Sequence, residues 1–475
     1  MVAAGGASAL SLTSCGGGPL NWLEAPRPPA VRPFSVGAGH GIDEATHVLR
    51  RVTYGPRPDD ETLIRRIGID AYLEQQLDPA GIDDSVCEGL VRRFESVHAP
   101  LGELFEYKPE LLRRDLTGAT ITRAVYSRRQ LHEVMVEFWT DHFNIATSKG
   151  DCAWLKAADD REVIRTHALG SFREMVRASA LSPAMLWYLD GRANRRRNPD
   201  ERPNENYARE LLELHTLGVH GGYTQRDVME VARCLTGWTV RSEQLFFKGR
   251  VEFHADSHDD GEKSVLGERI PAGLGRGDVD RVVELVTRHP STARHIAWKL
   301  CRRFISDSPP DDAVALVAAA FERNRGDIRE TLRAVFGAPA FRSAIDMKFK
   351  RPYRFLVSAL RATGALTDAG PPLQEYLTRM GHAPFQYPTP DGYPEEAGPW
   401  AGTFLWRWHF VAALRENRIS GTRIHWDSLN EAAGGDELLA AHFLGRKPTD
   451  RERRAWTDTK LGPAVMLASP AFQRY

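Results

Sequence analysis

The stretch from Pro203 to Gly218, PNENYARELLELHTLG, divides its residues between two faces of a helix. At about 100° per residue, Asn206, Glu210 and Glu213 fall on one arc, and the apolar side chains fall on the opposite arc with His215. An amphipathic helix of this kind must bury its apolar arc against another element. The pattern therefore predicts a helix that packs into a larger core and presents amides and carboxylates on its other face.

Apolar residues recur with helical spacing through most of the chain from residue 41 to the carboxyl end. The insert at 240–270 is different, because its short alternating runs are separated by Gly and Asp clusters, as in a β-hairpin. We therefore predict a mainly α fold, a multi-helical bundle of packed helical hairpins with a small β-hairpin insert. The predicted parts of one large helical domain (41–475) are a core at 131–238, the insert, and a C-terminal helical region at 279–475.

A second amphipathic helix is predicted at His132–Asn144, HEVMVEFWTDHFN. Its apolar arc includes His142, whereas Glu133, Glu137, Thr140 and Asp141 take the other arc. His142 and His215 thus both lie on core-facing arcs of helices that we expect to pack together. Each is a candidate metal ligand or acid–base group, and a buried, hydrogen-bonded histidine is the alternative for each.

The third polar cluster is the run HADSHDD at 254–260. In an extended strand His254, Asp256 and His258 would project from one side, which is a suitable spacing for metal ligands. Alternatively, His258 oriented by Asp259 would act as a general base. Trp238 and Lys263 flank this run and are candidate substrate-binding residues.

Two segments resemble each other, GSFREMVRASALSPAM at 170–185 and GDIRETLRAVFGAPAF at 326–341. The shared Gly, Arg, Glu, Ala and Pro positions suggest a duplicated helical unit.

The Pro-rich stretch 384–399 cannot form a regular element and predicts a long loop laid on the surface.

Composition narrows the classes of function. Lys+Arg and Asp+Glu both number 63, and this zero net charge argues against a protein that coats nucleic acid.

Residues 1–40 predict a signal-like segment and tether, in which Leu12-Thr13-Ser14-Cys15 resembles a bacterial lipoprotein cleavage box with Cys15 as the lipidated residue. We therefore expect an exported, periplasmic or extracellular protein that contacts a membrane only through a lipid anchor.

Several motifs together resemble one family. NENYARELLELHTLGV, GGYTQRDVMEVARCLTGWTV, FHADSHDDGEKSVLG and HPSTARHIAWKLCRRF are similar to the bacterial family called domain of unknown function 1800. The resemblance implies an exported, mainly helical bacterial protein that often occurs beside a protein like the alkaline-phosphatase superfamily. It implies no reaction.

Three hypotheses of function follow. The first is a hydrolase of polysaccharide or another envelope polymer. Its catalytic residues would be Glu205, Glu210, His258 and Asp259, and its substrate-binding residues Asn204, Asn206, Arg209, Trp238 and Lys263. The second is a metal-dependent enzyme, with oxidation as one candidate reaction, that binds one divalent ion through ligands from His142, His215, His254 and His258. The third is a non-catalytic lipoprotein that binds a phosphatase-like partner.

Overall fold

The computed structural model describes residues 33–37, 39–198, 200–243 and 247–475. Cys15 and most of the predicted signal-like segment lie outside the described residues.

Regular structure in the described residues is dominated by α-helices. Many begin at a polar cap or at a proline in the first turn, as the sequence favours. In chain order the helices are α1 (Glu44–Val52), α2 (Asp60–Ile67), α3 (Ile69–Leu77), α4 (Ser85–Val91), α5 (Leu101–Leu104), α6 (Pro109–Tyr126), α7 (Gln130–His142), α8 (Cys152–Asp159), α9 (Phe172–Ala180), α10 (Pro183–Tyr188), α11 (Asn206–Glu210), α12 (Gln225–Cys234), α13 (Gly277–Arg288), α14 (Pro290–Phe304), α15 (Asp311–Arg323), α16 (Ile328–Gly337), α17 (Pro339–Ser343), α18 (Pro352–Ala362), α19 (Pro371–Arg379), α20 (Phe404–Arg415), α21 (Trp426–Ala433), α22 (Asp436–Leu444) and α23 (Asp450–Thr457).

The strands form small antiparallel pairs. They are β1 (Trp238–Val240) with β2 (Val251–Phe253), β3 (Lys263–Val265) with β4 (Glu268–Ile270), and β5 (Leu366–Thr367) with β6 (Thr422–Arg423). The prediction of a mainly α fold with a small β insert is confirmed. The insert differs in detail, because it contains two hairpins and its first strand already begins at Trp238.

Two helices continue into π-helical segments, α8 into Asp160–Arg165 and α11 into Leu211–Thr216. A π segment widens the helix and is found frequently at functional sites. The second one lies within the amphipathic stretch 203–218.

Helix α7 lies in the middle of the main hydrophobic core. Its residues Leu131, Val134, Met135 and Trp139 are fully buried, and it packs against α1, α3, α6 and the first π segment. The same core extends through side chains from Phe34 to Phe472, while a smaller cluster lies between α4, α6 and α8. Helix α7 therefore holds its side chains in fixed positions.

The two similar segments of the sequence meet in space. Ser171 and Asp327 pair as an antiparallel bridge, Phe172 N donates to Gly326 O at 2.9 Å, and Ile328 N donates to Gly170 O at 2.9 Å. Ser171 also caps α9 and Asp327 caps α16. The two helix starts are thus equivalent in local structure and are joined to each other.

Candidate functional site

The predicted amphipathic helix begins later than its sequence suggested. Glu205 occupies the N-cap position of α11, and Asn204 Oδ1 accepts the Asn206 amide at 2.9 Å. The polar side chains here bind one another or the backbone. Glu205 Oε2 accepts from Arg209 Nη2 at 3.1 Å, and Asn206 Nδ2 donates to Leu189 O at 3.0 Å.

The predicted separation of two faces is present. Glu210 and Glu213 are half-buried on one face, whereas His215 is buried on the other. Burial raises the pKa of Glu210, and the neighbouring charges of Glu213 and Asp391 raise it further. Asp391 comes from the long loop, so this loop contributes one of the charges that act on Glu210.

The run at 254–260 is not an extended strand, and that prediction was wrong. Residues Ala255–Ser257 form a 3-10 turn, which breaks the alternation that would have aligned His254, Asp256 and His258. His254 is exposed, with Nε2 3.8 Å from Glu252 Oε2. His258 is buried.

Asp278, and not Asp259, faces the ring of His258. The Nε2 atom of His258 lies 3.2 Å from Asp278 Oδ2, and its Nδ1 atom lies 3.0 Å from Thr236 O. Lys263 Nζ is 2.6 Å from the same Asp278 oxygen. The predicted orientation of His258 by Asp259 was therefore wrong, since burial placed another carboxylate beside the ring.

Asp259 belongs to a separate ion cluster. Its carboxylate binds Arg196 and the Nε atom of Arg233, the latter at 2.6 Å. Burial disfavours the charge of Asp259, but the hydrogen bonds from Arg233 hold its pKa far below the usual range. Trp238 is half-buried and packs against Phe253 with 5.0 Å between ring centroids. These contacts join the insert to α12 and α13.

His142 and His215 do pack together, with ring centroids 6.1 Å apart. Nε2 of His142 donates to the backbone oxygen of His215 at 3.1 Å, and Lys299 Nζ donates to Nδ1 of His142 at 2.9 Å. Burial, together with the charge of Lys299, lowers the pKa of His142 well below its ordinary value. Both nitrogens of this neutral ring are occupied, so His142 has no lone pair to offer a metal.

Among the described residues, one group of three has candidate ligand atoms close enough to surround an ion. It consists of Glu137, Asp141 and His382, whose candidate atoms all lie within 4.8 Å of one another. Glu137 and Asp141 are four residues apart and hence on the same side of α7. The cavity of about 30 Å³ that they line has room for at least one water molecule, and we call it the paired-carboxylate cavity.

Two arginines bind the paired carboxylates. Arg351 contacts both, with its Nη1 atom 2.7 Å from Asp141 Oδ2 and its Nη2 atom 2.5 Å from Glu137 Oε1. Arg303 binds Glu137 through Nη2, and its Nη1 atom donates to Glu395 at 2.9 Å. These guanidinium groups come from α14 and the start of α18, so three distant segments meet here.

The two carboxyl groups respond to this environment in opposite ways. Burial raises the pKa of Asp141 to about 6, with Arg351 opposing the rise and Glu137 adding to it. Burial also opposes ionisation of Glu137, but Arg303 and Arg351 together hold its pKa at about 2. Near pH 5 the site therefore contains one protonated and one ionised carboxyl group.

The hydrogen bonds of His382 define its proton. Nδ1 accepts the backbone N–H of Tyr353 at 3.2 Å, and burial keeps the pKa of the ring well below its ordinary value. A neutral imidazole whose Nδ1 is an acceptor carries its hydrogen on Nε2. His382 is therefore a hydrogen-bond donor at Nε2.

The predicted surface loop covers this cavity. We call residues 384–396 the covering loop, and Pro384, Phe385 and Tyr393 of this loop line the cavity. Asn144 Nδ2 donates to two of its backbone oxygens, those of Tyr387 and Thr389. The loop is thus attached at several points, while the Glu137 and Asp141 side chains keep 10% and 17% of their surface exposed.

Residues 47–474 match the family described as protein of unknown function (DUF1800). The chain belongs to this DUF1800 family. No curated protein matches it, and no solved structure does. Within the described part of this DUF1800 protein, the helices are too short or too polar to cross a membrane.

Sequence reasoning missed much of the paired-carboxylate cavity in this DUF1800 chain. Glu137 and Asp141 were assigned only to the polar arc of α7, an arc that usually faces water. The sequence does contain a signal for this site, which is the group of arginines in WKLCRRF and KFKRPYRF. Arg303 and Arg351 belong to this group, and both are nearly inaccessible to solvent. A buried arginine needs acceptor groups around it, and here two buried arginines find them in carboxylates of α7.

Proposed function

We propose that this protein is an exported hydrolase of polysaccharide or another envelope polymer, in which Asp141 is the general acid–base group. The single observation that supports this most is the pair Glu137 and Asp141 on one helix, with pKa values displaced in opposite directions around a cavity of water size. Two carboxyl groups tuned apart by their surroundings are a common basis for assigning an acid and its ionised partner.

In the proposed reaction, protonated Asp141 donates its proton to the leaving oxygen of the substrate. Ionised Glu137 stabilises the positive charge that develops on the substrate or accepts a proton from the attacking water. The proton taken from water finally returns to Asp141, so the site is regenerated. Arg351 positions both carboxyl groups and does not itself transfer a proton.

A metal-dependent reaction at the same residues is the competing interpretation, because two carboxylates and a histidine within 4.8 Å resemble a ligand set. His382 argues against it. Its Nδ1 lone pair is occupied by the Tyr353 N–H and its Nε2 carries the hydrogen, so neither nitrogen is free to coordinate. The guanidinium of Arg351 also already neutralises the carboxylates that a cation would need.

Export is proposed on the Leu12–Cys15 box and the surrounding residues 1–40.

One surface favours a second candidate function, the binding of a phosphatase-like partner. Phe404, Leu405 and Trp408 are adjacent on α20, and each is more than two-fifths exposed. Apolar side chains grouped in this way are typical of protein-binding surfaces.

The test uses the full chain and purified envelope polysaccharide and peptidoglycan as substrates. The variant Asp141→Asn removes the acid with little change in shape, and Glu137→Gln removes its ionised partner. Asp256→Asn, in the exposed turn of the insert, is the matched control. We expect soluble fragments from the wild type and the control and a loss of about a hundredfold or more in Asp141→Asn. A folded Asp141→Asn variant with unchanged activity, or a wild type inactive on every polymer, would overturn the proposal.

A further inference from the structure

A larger cavity shares one lining residue, Glu133, with the paired-carboxylate cavity. It has a volume of about 360 Å³ and is lined by residues of α4, α6 and α7 and by Arg165 of the first π segment. Four arginines line it, Arg92, Arg123, Arg129 and Arg165, so we call it the arginine cavity. Its volume is within the range of pockets that hold small organic ligands.

Two of these arginines already have carboxylate partners. Arg165 binds Glu133 through two hydrogen bonds of 3.0 and 2.7 Å and binds Asp160 through Nε at 2.9 Å. Arg129 binds Glu88 at 3.0 Å. The charges of Arg129 and Arg165 are therefore used within the protein.

The remaining acidic group, Asp84, is also engaged. Its two carboxylate oxygens accept hydrogen bonds of 2.7 Å from Ser127 Oγ and from the backbone N–H of Arg128. Among the residues that the structure describes, no carboxylate forms an ion pair with Arg123 or Arg92. The cavity thus has two guanidinium groups without a carboxylate of the described residues at ion-pair distance, and the exposed His98 also lines it.

Arg123 is the more informative of the two. It is half-buried in the wall of the cavity, where burial and the charge of Arg165 lower its pKa against the opposing charges of Glu133 and Asp160. No hydrogen-bond acceptor in the described part of the chain contacts its guanidinium, and taking a cation out of water without such a partner is costly. A planar guanidinium matches the oxygens of a carboxylate or phosphate.

We infer that the arginine cavity binds a small organic anion whose phosphate or carboxylate group pairs with Arg123. Arg92 and His98 provide further donors near the exposed side of the cavity, and Val91 and Cys87 supply an apolar wall for the rest of the molecule. This inference is independent of the proposed hydrolysis, because it uses a different cavity and none of its reacting groups.

The experiment is calorimetric titration of the full chain at constant ionic strength with three probes: inorganic phosphate, glycerol 3-phosphate and succinate. We expect saturable binding of at least one probe by the wild type and at least a tenfold loss of affinity in Arg123→Gln. The matched control is Arg113→Gln, an exposed arginine on the same helix α6, which should bind as the wild type does. Binding of the phosphates alone would identify a phosphate ligand, and binding of succinate alone a carboxylate ligand.

A second variant covers the case in which Arg123→Gln does not fold. Arg92 is exposed, so Arg92→Gln should fold and should lower the affinity several-fold. The inference is overturned if no probe binds saturably to the wild type. It is also overturned if Arg123→Gln folds and binds as tightly as the control. If Arg123→Gln does not fold, an unchanged affinity in Arg92→Gln overturns the inference.

Discussion

Lys299 Nζ lies 2.9 Å from Nδ1 of His142, and this contact determines which nitrogen of His142 carries the proton. Because the lysine donates to Nδ1, the hydrogen of the neutral ring must be on Nε2, where it is donated to His215 O. His142 is the residue after Asp141 on α7. A hydrogen bond to His142 therefore holds Lys299 beside the paired-carboxylate cavity. Because His142 is neutral, it does not cancel the charge of the lysine.

Lys299 should be reactive at mildly alkaline pH. Burial lowers its pKa to about 8, although the charges of Asp141 and Glu395 act in the opposite direction. Competitive labelling with acetic anhydride across pH 6 to 11, read by mass spectrometry, should give a midpoint near pH 8 for this lysine. In Asp141→Asn the midpoint should fall further, because a carboxylate that favours the ammonium form is removed. A midpoint above pH 10 in the wild type would contradict this interpretation.

Breaking the buried ion network should be costly. Arg303→Met leaves Glu137 and Glu395 without one of their guanidinium partners, and a buried charge deprived of its partner costs about 3–5 kcal/mol of unfolding free energy. The control is Arg333→Met, because the contact of Arg333 with Glu74 at 2.8 Å is on the surface and should contribute less than about 1 kcal/mol. Urea unfolding of both variants measures the difference. Equal losses would show that the buried network does not stabilise the fold.

Acid should destabilise the protein through its buried histidines. Five buried histidines and the half-buried His295 have folded-state pKa values lowered by burial; the buried ones are His47, His142, His215, His382 and His442. Below pH 6.5 the unfolded chain binds protons that the folded chain does not, so stability is lost as pH falls, by up to about 1.4 kcal/mol per pH unit for each histidine. Asp141 has the opposite effect on stability, because its folded pKa is raised. Between about pH 4 and 6 the folded chain binds up to one more proton at Asp141 than the unfolded chain does.

The measurement is the unfolding free energy at pH 7, 6 and 5, for the wild type and for His442→Gln. Glutamine can preserve the hydrogen bond that His442 Nε2 makes to Ala362 O at 2.9 Å, but it cannot titrate. The variant should therefore show a slope smaller by up to one proton. Stability that does not change from pH 7 to 5 would rule out neutral buried histidines.

Two glutamates five residues apart should respond differently to the same substitution. Burial and the like charges of Glu213 and Asp391 raise the pKa of Glu210. Glu210→Gln should therefore leave the free energy of unfolding unchanged or increase it by about 0.5 kcal/mol. Glu205 accepts from Arg209 and Gln225, so Glu205→Gln should reduce stability by up to about 1 kcal/mol. Thermal unfolding of the two variants compares them. The reverse order would mean that Glu210 has a stabilising partner.

The helices were largely predictable because their signals are local. Thr224 and Asp227 form the expected capping box at the start of α12, and the separation of Glu210 from His215 follows directly from helical spacing. The π register at Leu211–Thr216 was not predictable. It requires hydrogen bonds five residues apart, and no residue type specifies that register in the sequence.

The candidate site was poorly predictable because its partners are distant in the chain. Arg351 is 210 residues from Asp141, and nothing local to α7 indicates that its polar arc is covered. His258 shows the same limitation, since its predicted partner Asp259 was adjacent in sequence while Asp278 is the carboxylate that faces it. Local patterns identify chemically able residues, but tertiary packing selects which of them meet.

The most direct test of the central claim is the titration of Asp141 itself. Difference infrared spectra between the wild type and Asp141→Asn, recorded from pH 3 to 8, isolate the C=O band of this protonated carboxyl group. The account predicts a midpoint near pH 6 for Asp141, with Glu137 ionised throughout. A midpoint at or below pH 4 would mean that Asp141 is ionised whenever the protein works and would contradict its role as the acid.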